Sequence, residues 1–208
     1  MNKFITVVVL TGLLLATQAF ADDKLLSQSF DYQGEMLQLD VGVGEVEIIA
    51  SDRQQVVVEV ELTGKKTGFL FFGSEKDVSD IELDVRLNAG NSLALRISDS
   101  EDVQEHWRIS LPASAKIQMD MGVGRIQTSG MDNSLMIDLG VGEVEINHSH
   151  EYGDIELNSG VGDVSYSVNG REVEVKRAMV SASYSAQTRG QGSLHVDVGV
   201  GEVDVNGR

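Results

Sequence analysis

A twelve-residue pattern occurs five times along this chain and restricts what it can fold into more than any other feature. It reads LQLDVGVGEVEI from Leu37, IQMDMGVGRIQT from Ile117, LMIDLGVGEVEI from Leu135, IELNSGVGDVSY from Ile155 and LHVDVGVGEVDV from Leu194. The GVG triplets begin at Gly42, Gly122, Gly140, Gly160 and Gly199, so their spacings are 80, 18, 20 and 39. These lie close to multiples of about 20, the period at which repeat folds stack one supersecondary unit per copy. The gap of 39 predicts a degenerate copy around Ala178, Val180, Ala182 and Tyr184.

Each copy alternates with period two, Leu37, Leu39, Val41 and Val43 sharing one phase, which is the spacing of a half-buried strand and not of a helix. The apolar phase then steps by three to Val46 and Ile48. The same step recurs from Val123 to Ile126, Val141 to Val144, Val161 to Val164 and Val200 to Val203. A step of three beside two glycines predicts a corner that turns the strand while its apolar face stays inward. The structural glycines are then Gly42 and Gly44, Gly122 and Gly124, Gly140 and Gly142, Gly160 and Gly162, and Gly199 and Gly201. The expected fold is all-β, a β-solenoid or β-roll-like stack of GVG repeats of about 20 residues with a longer-stranded N-terminal part.

In that N-terminal part Val56 to Leu62, Ile81 to Leu87, Leu93 to Ile97 and Trp107 to Leu111 alternate in turn. Thr63-Gly64-Lys65-Lys66, Asn88-Ala89-Gly90-Asn91 and Ser98-Asp99-Ser100 separate them as turns. An acidic, mobile loop is expected near Gly73 to Asp80, and Pro112 ends its strand before the tandem copies begin. The opening MNKFITVVVLTGLLLATQAFA has a cation at Lys3, an apolar run from Phe4 to Ala16 and a small-x-small site at Ala19-Phe20-Ala21. It reads as a signal peptide, with cleavage near Ala21. The domain division is therefore 1–21 signal peptide and 22–208 one β-repeat domain, longer-stranded over 22–111 and tandem over 112–208.

Sixteen Lys and Arg stand against 33 Asp and Glu, a formal charge of −17. Such a chain lacks the clustered cations that nucleic acid or anionic lipid demands. The absence of Cys excludes disulfides, thiolate metal sites and a Cys nucleophile. Together with the leader this points to a bacterial periplasmic or secreted protein.

The tandem GVG copies, with the preceding Trp107-Arg108-Ile109-Ser110-Leu111-Pro112, resemble the bacterial adhesin-like β-strand repeat family, a domain of unknown function. The resemblance spans about Trp107 to Arg208 and, more loosely, Leu37 to Ile97. It implies a β-solenoid envelope protein, often exported, and carries over no catalytic residues. Arg125 departs from the chain's own consensus, since the other copies carry an acid there.

Asp40, Asp120, Asp138, Asn158 and Asp197 precede the triplets, and Glu45, Arg125, Glu143, Asp163 and Glu202 follow them. Stacked about 4.8 Å apart, each set becomes a ladder of like charges repelling by roughly 1 kcal/mol per pair in water. Two readings offset this. Ca²⁺ could be held by Asp120, Asp138 and Glu143, or the Asp and Asn side chains bond their own turns while the acids after GVG face solvent. The GGxGxD signature of Ca²⁺-binding β-rolls is absent. His148-Ser149-His150-Glu151, with Asp154, is the one His pair and is expected to be a solvated loop in preference to a Zn²⁺ site. No GxSxG, Walker loop or HExxH occurs. The expected function is a non-enzymatic interaction or structural module of the envelope or surface that needs no cofactor and meets an unidentified envelope protein or glycan. The alternatives are a Ca²⁺-dependent binding module and a carbohydrate-active enzyme. For assembly, the fifth copy is expected at an open end, pairing either with Leu37 to Ile48 or with another molecule. The net charge favours a monomer or weak dimer.

Overall fold

Alternation becomes strand along nearly the whole chain. The structure, a computed structural model, describes residues 23–69, 72–88 and 90–208; the expected leader, 1–21, lies outside them. Among the described residues there is no helix, and the strands are β1 (Asp23–Asp31), β2 (Met36–Ser51), β3 (Gln55–Gly64), β4 (Lys66–Phe69), β5 (Phe72–Glu75), β6 (Leu83–Asn88), β7 (Ser92–Ile97), β8 (Val103–Pro112), β9 (Lys116–Ser129), β10 (Leu135–His148), β11 (Asp154–Val168), β12 (Arg171–Glu172), β13 (Lys176–Ala178), β14 (Ser181–Gln187) and β15 (Ser193–Gly207). Thirteen of them share one sheet, with β4 and β5 forming a separate pair.

The five GVG strands lie side by side, all parallel, in the order β2-β9-β10-β15-β11. Their register is that of the repeat: Gly44, Gly124, Gly142, Gly201 and Gly162 are successive partners. Parallel neighbours joined by short connections require the strands to double back. A straight fourteen-residue strand such as β9 would be about 46 Å long, whereas the five residues from Gly130 to Ser134 span at most about 20 Å. Yet Leu135 sits directly beside Ile117, at the far end of β9. Each GVG strand therefore folds over at its glycines into two arms, and the connection closes the turn.

The two arms enclose the core. Along the first arm the buried rows run Leu37-Ile117-Leu135-Leu194-Ile155 and Leu39-Met119-Ile137-Val196-Leu157; along the second, Val46-Ile126-Val144-Val203-Val164. The inward phase does not reach the middle of the triplet. Val123, Val141, Val200 and Val161 are 44 to 48% exposed, so the inward series breaks between Val41 and Val46, a step of five and not three. Period two cannot be extrapolated through a corner, where the backbone rotates and carries the valine outward.

Further strands cover both ends of the stack, parallel to β2 at one and antiparallel to β11 at the other. At one end β7 pairs with the first arm of β2 and β8 with its second, with β3 and then β1 beyond β8. At the other end β14 and β12 pair with the two arms of β11. The segment expected as a degenerate sixth copy is thus an antiparallel hairpin, β13 and β14, since apolar alternation is the same for either strand direction. The fifth copy, too, is not at an open end. β15 lies between β10 and β11 with parallel partners on both sides, so it pairs neither with Leu37 to Ile48 nor outward. The stretch from Gly73 to Asp80 begins in β5 and then returns to the core through Val78, 4% exposed, with Lys76 paired to Asp99 at 2.8 Å. Burying Val78 fixes what charge alone marked as a loop.

Candidate functional site

The outer side of the corner is where five copies present the same side chains in register. Three rows run across the strands there. The first is Asp40-Asp120-Asp138-Asp197-Asn158, the second the half-buried Val43 followed by the exposed Val123, Val141, Val200 and Val161, and the third Glu45-Arg125-Glu143-Glu202-Asp163. The glycine rows between them carry no side chain, so the valines stand as a ridge.

The two charged rows are balanced differently. In the third row Arg125 lies between Glu45 and Glu143 and reaches Glu143 and Glu145, each at 3.6 Å. Glu45 meets His106 at 3.3 Å and Asp163 meets Arg177 at 2.8 Å, a contact that holds the Asp163 carboxyl below its ordinary range. The departure of Arg125 from the repeat thus breaks up a run of acids. The aspartate row has no such relief: among the described residues none of its four carboxylates is in an ion pair. Partial desolvation, then the charges of Asp120 and Asp197, raise the Asp138 carboxyl above its ordinary range. This row walls an open trough of about 430 Å³ floored by Gly122, Gly140 and Gly199.

The three residues expected as Ca²⁺ ligands are not brought together as a set. Asp120 and Asp138 are direct neighbours, but Glu143 lies past the corner, facing Arg125. Among the described residues no group of three or more His, Asp or Glu is placed to hold a metal ion.

The two glycines of a triplet differ in their surroundings. A Cβ on Gly140 would meet the Gly122 carbonyl oxygen at 2.6 Å, whereas Gly142 has φ +147° and its Cβ would fall 1.7 Å from the Gly124 oxygen. At the end of the stack the corresponding neighbour of Gly44 is the backbone of Glu105. Glu105 is fully buried, and its carboxylate accepts the Gly42 N–H at 2.9 Å and the Trp107 indole N–H at 2.8 Å. Burial raises this carboxyl above its ordinary range in spite of those two hydrogen bonds. Glu105 escaped the sequence reading, although it shares the inward phase of Val103, Trp107 and Ile109.

His148 is buried at the end of β10, not part of a solvated loop, because it continues the inward phase of Val144 and Ile146. Its Nδ1 lies 2.7 Å from the His150 carbonyl oxygen and its ring packs edge-on to Tyr152, 5.0 Å between centroids. Burial lowers its pKa. The two histidines therefore contact each other through backbone and do not converge on a common ligand position.

No protein-family model matches the chain, and no curated protein matches it. Among solved structures, it is similar to a "putative cell adhesion protein" from Clostridium sporogenes at 13% identity and TM-score 0.46, covering 89% of this chain and all of that one. It is also similar to a "putative adhesin" from Bacteroides fragilis, at 14% identity and TM-score 0.31 over 89% of this chain and 97% of that one. A further "putative adhesin", from Parabacteroides distasonis, is matched at 14% identity and TM-score 0.31 over 62% of this chain and 58% of that one. All of these neighbours carry adhesin or cell-adhesion names, as the sequence resemblance implies. At such identities the functional reading has to stand on the chain's own geometry.

Proposed function

We propose that this protein is an exported, non-enzymatic β-solenoid module that works at the bacterial cell envelope or surface by presenting the outer rows of its stack to a partner. The observation that carries this is the in-register repetition at the corner. Each outward position is displayed by neighbouring strands about 4.8 Å apart on a rigid core, the arrangement by which repeat proteins build extended binding surfaces. The formal charge of −17 opposes pairing of the outer strand edges between molecules and supports a monomer or weak dimer.

Crosslinking and affinity capture from the native envelope test the reading, with mass analysis of the purified protein. A chain starting at Asp22 in the periplasmic or medium fraction, together with one reproducible crosslinked partner, is the expected result. Retention of Met1, or a cytoplasmic location, would overturn it. A second reading, a Ca²⁺-dependent module, draws on the unrelieved charge of the aspartate row alone, whose members are not grouped as a ligand set. It expects the melting temperature to rise with millimolar Ca²⁺ and not with equal Na⁺ charge; an unchanged temperature removes it.

A further inference from the structure

We infer that the aspartate-walled trough, together with the valine ridge next to its glycine floor, is a docking surface for an extended polypeptide segment in which Lys or Arg alternates with aliphatic residues. This rests on the interaction-module reading and specifies its surface and the chemistry of its partner. The apolar half is the ridge: Val123, Val141, Val200 and Val161 are 44 to 48% exposed and consecutive across the stack. At its far end the Val180 carbonyl accepts the Gly162 N–H, and Val180 and Met179, 60% and 105% exposed, prolong it. Solitary exposed aliphatics are ordinary on protein surfaces, whereas a contiguous line of them marks a contact site.

Charge complementarity decides the occupant. The glutamate side of the ridge is relieved in part, since Arg125 reaches Glu143, Arg177 reaches Asp163 and the His106 ring lies against Glu45. The aspartate side presents four carboxylates with no cationic partner among the described residues. A ligand bringing cations to that side relieves repulsion that the fold leaves in place. An acidic or neutral apolar segment would bury the valines and leave the aspartates as they are.

The dimensions fit a single extended chain. Asp138 and Val141 stand on either side of Gly140 on one strand. The glycine floor between them has no side chains to obstruct a backbone. An extended segment lying across the strands directs alternate side chains to opposite walls, cations to the aspartates and aliphatics to the valines. From Val123 to Val161 the exposed ridge crosses three strand spacings, about 14 Å, the length of some four extended residues. A second copy of this acidic chain offers no alternating cationic strand to fill the groove.

The test is fluorescence anisotropy of a labelled octapeptide of alternating Lys and Val against the mature protein. The comparison peptides alternate Lys with Ser and Glu with Val. Saturable binding is expected for Lys-Val, about tenfold weaker for Lys-Ser, undetectable for Glu-Val, and falling as salt rises. The triple variants D120N/D138N/D197N and V123T/V141T/V200T keep side-chain shape on exposed positions, and their melting curves verify the fold. Each is expected to lose about tenfold or more in affinity. Equal binding of Lys-Val and Lys-Ser, or unchanged binding by either variant, overturns the groove. So does a wild-type dimer in light scattering that the valine variant abolishes, because the ridge would then be a self-interface. An envelope partner captured equally by wild type and both variants rejects this groove and leaves the interaction-module reading standing. Peptide binding as expected, without any envelope partner, keeps the groove and rejects the envelope reading.

Discussion

Replacing Gly142 with alanine separates two demands that the corner makes on its second glycine. At φ +147° a side chain is strained by about 1 to 3 kcal/mol wherever it sits. The added Cβ would also lie 1.7 Å from the Gly124 carbonyl oxygen on β9, well inside contact distance, so β10 has to move away from β9. Losing two ladder hydrogen bonds beside the corner adds about 1 to 3 kcal/mol. The total is about 2 to 6 kcal/mol, roughly 4 to 24 °C in melting temperature for a domain of this size. Two companion variants divide the effect. Gly34 has φ +95° with nothing near its Cβ, so Gly34→Ala has the strain alone, about 1 to 3 kcal/mol. Gly140→Ala has no unusual φ but a 2.6 Å approach to Gly122, and should cost about 1 to 2 kcal/mol. Trp107, the sole tryptophan and fully buried, reports unfolding through its emission in urea or on heating. A Gly142→Ala protein no less stable than Gly34→Ala would refute the close-approach argument, whatever the absolute values.

Three further substitutions probe the buried and charged groups. Glu105→Ala strands the buried Trp107 indole N–H and frees the Gly42 N–H, so the urea midpoint should fall by the equivalent of about 2 to 4 kcal/mol. Asp138 is raised in the folded protein, so stability declines as pH climbs from its ordinary 3.8 through the raised value. Asp138→Asn should flatten that decline and, at neutral pH, stabilise by no more than about 1 kcal/mol, less in high salt. His148 is lowered by burial, so the folded state resists its protonation and stability drops as pH falls below the ordinary 6.5 toward the lowered value. In His148→Asn the melting temperature should lose that part of its pH dependence below about 6.5, even if its plateau is lower.

Much of the core could be read from the chain because the arms obey period two without interruption: Leu37 and Leu39, or Val144 and Ile146, are buried as their phase requires. The corner was located but its valine was misdirected, since alternation holds only while the backbone keeps one plane. Glu105 and His148 were legible in principle, each sitting on an inward phase, but their polarity outweighed it. Strand direction and order were not legible at all. Ala182 and Tyr184 alternate identically in an antiparallel strand, and every GVG copy offers its neighbours nearly the same rows, so no local signal says that β15 belongs beside β10. The aspartate row followed from the repeat, whereas its lack of counterions depends on where Arg125, His106 and Arg177 reach, which is a tertiary fact.

The insertion of β15 makes the order of folding differ from the order of synthesis. Leu135 pairs with Leu194, 59 residues away, while β11, the next copy in the chain, has β15 as its one parallel partner among the described residues. A chain that zipped copy onto copy as it emerged would lay β11 against β10, in the same register and with the same apolar rows facing inward. That arrangement is a topological isomer of nearly equal local energy, and entry of the final strand requires it to open. Closing the long loop to β15 is slow compared with adding the adjacent copy, so the likeness among the repeats builds a kinetic trap into the fold, and completion waits on the last strand.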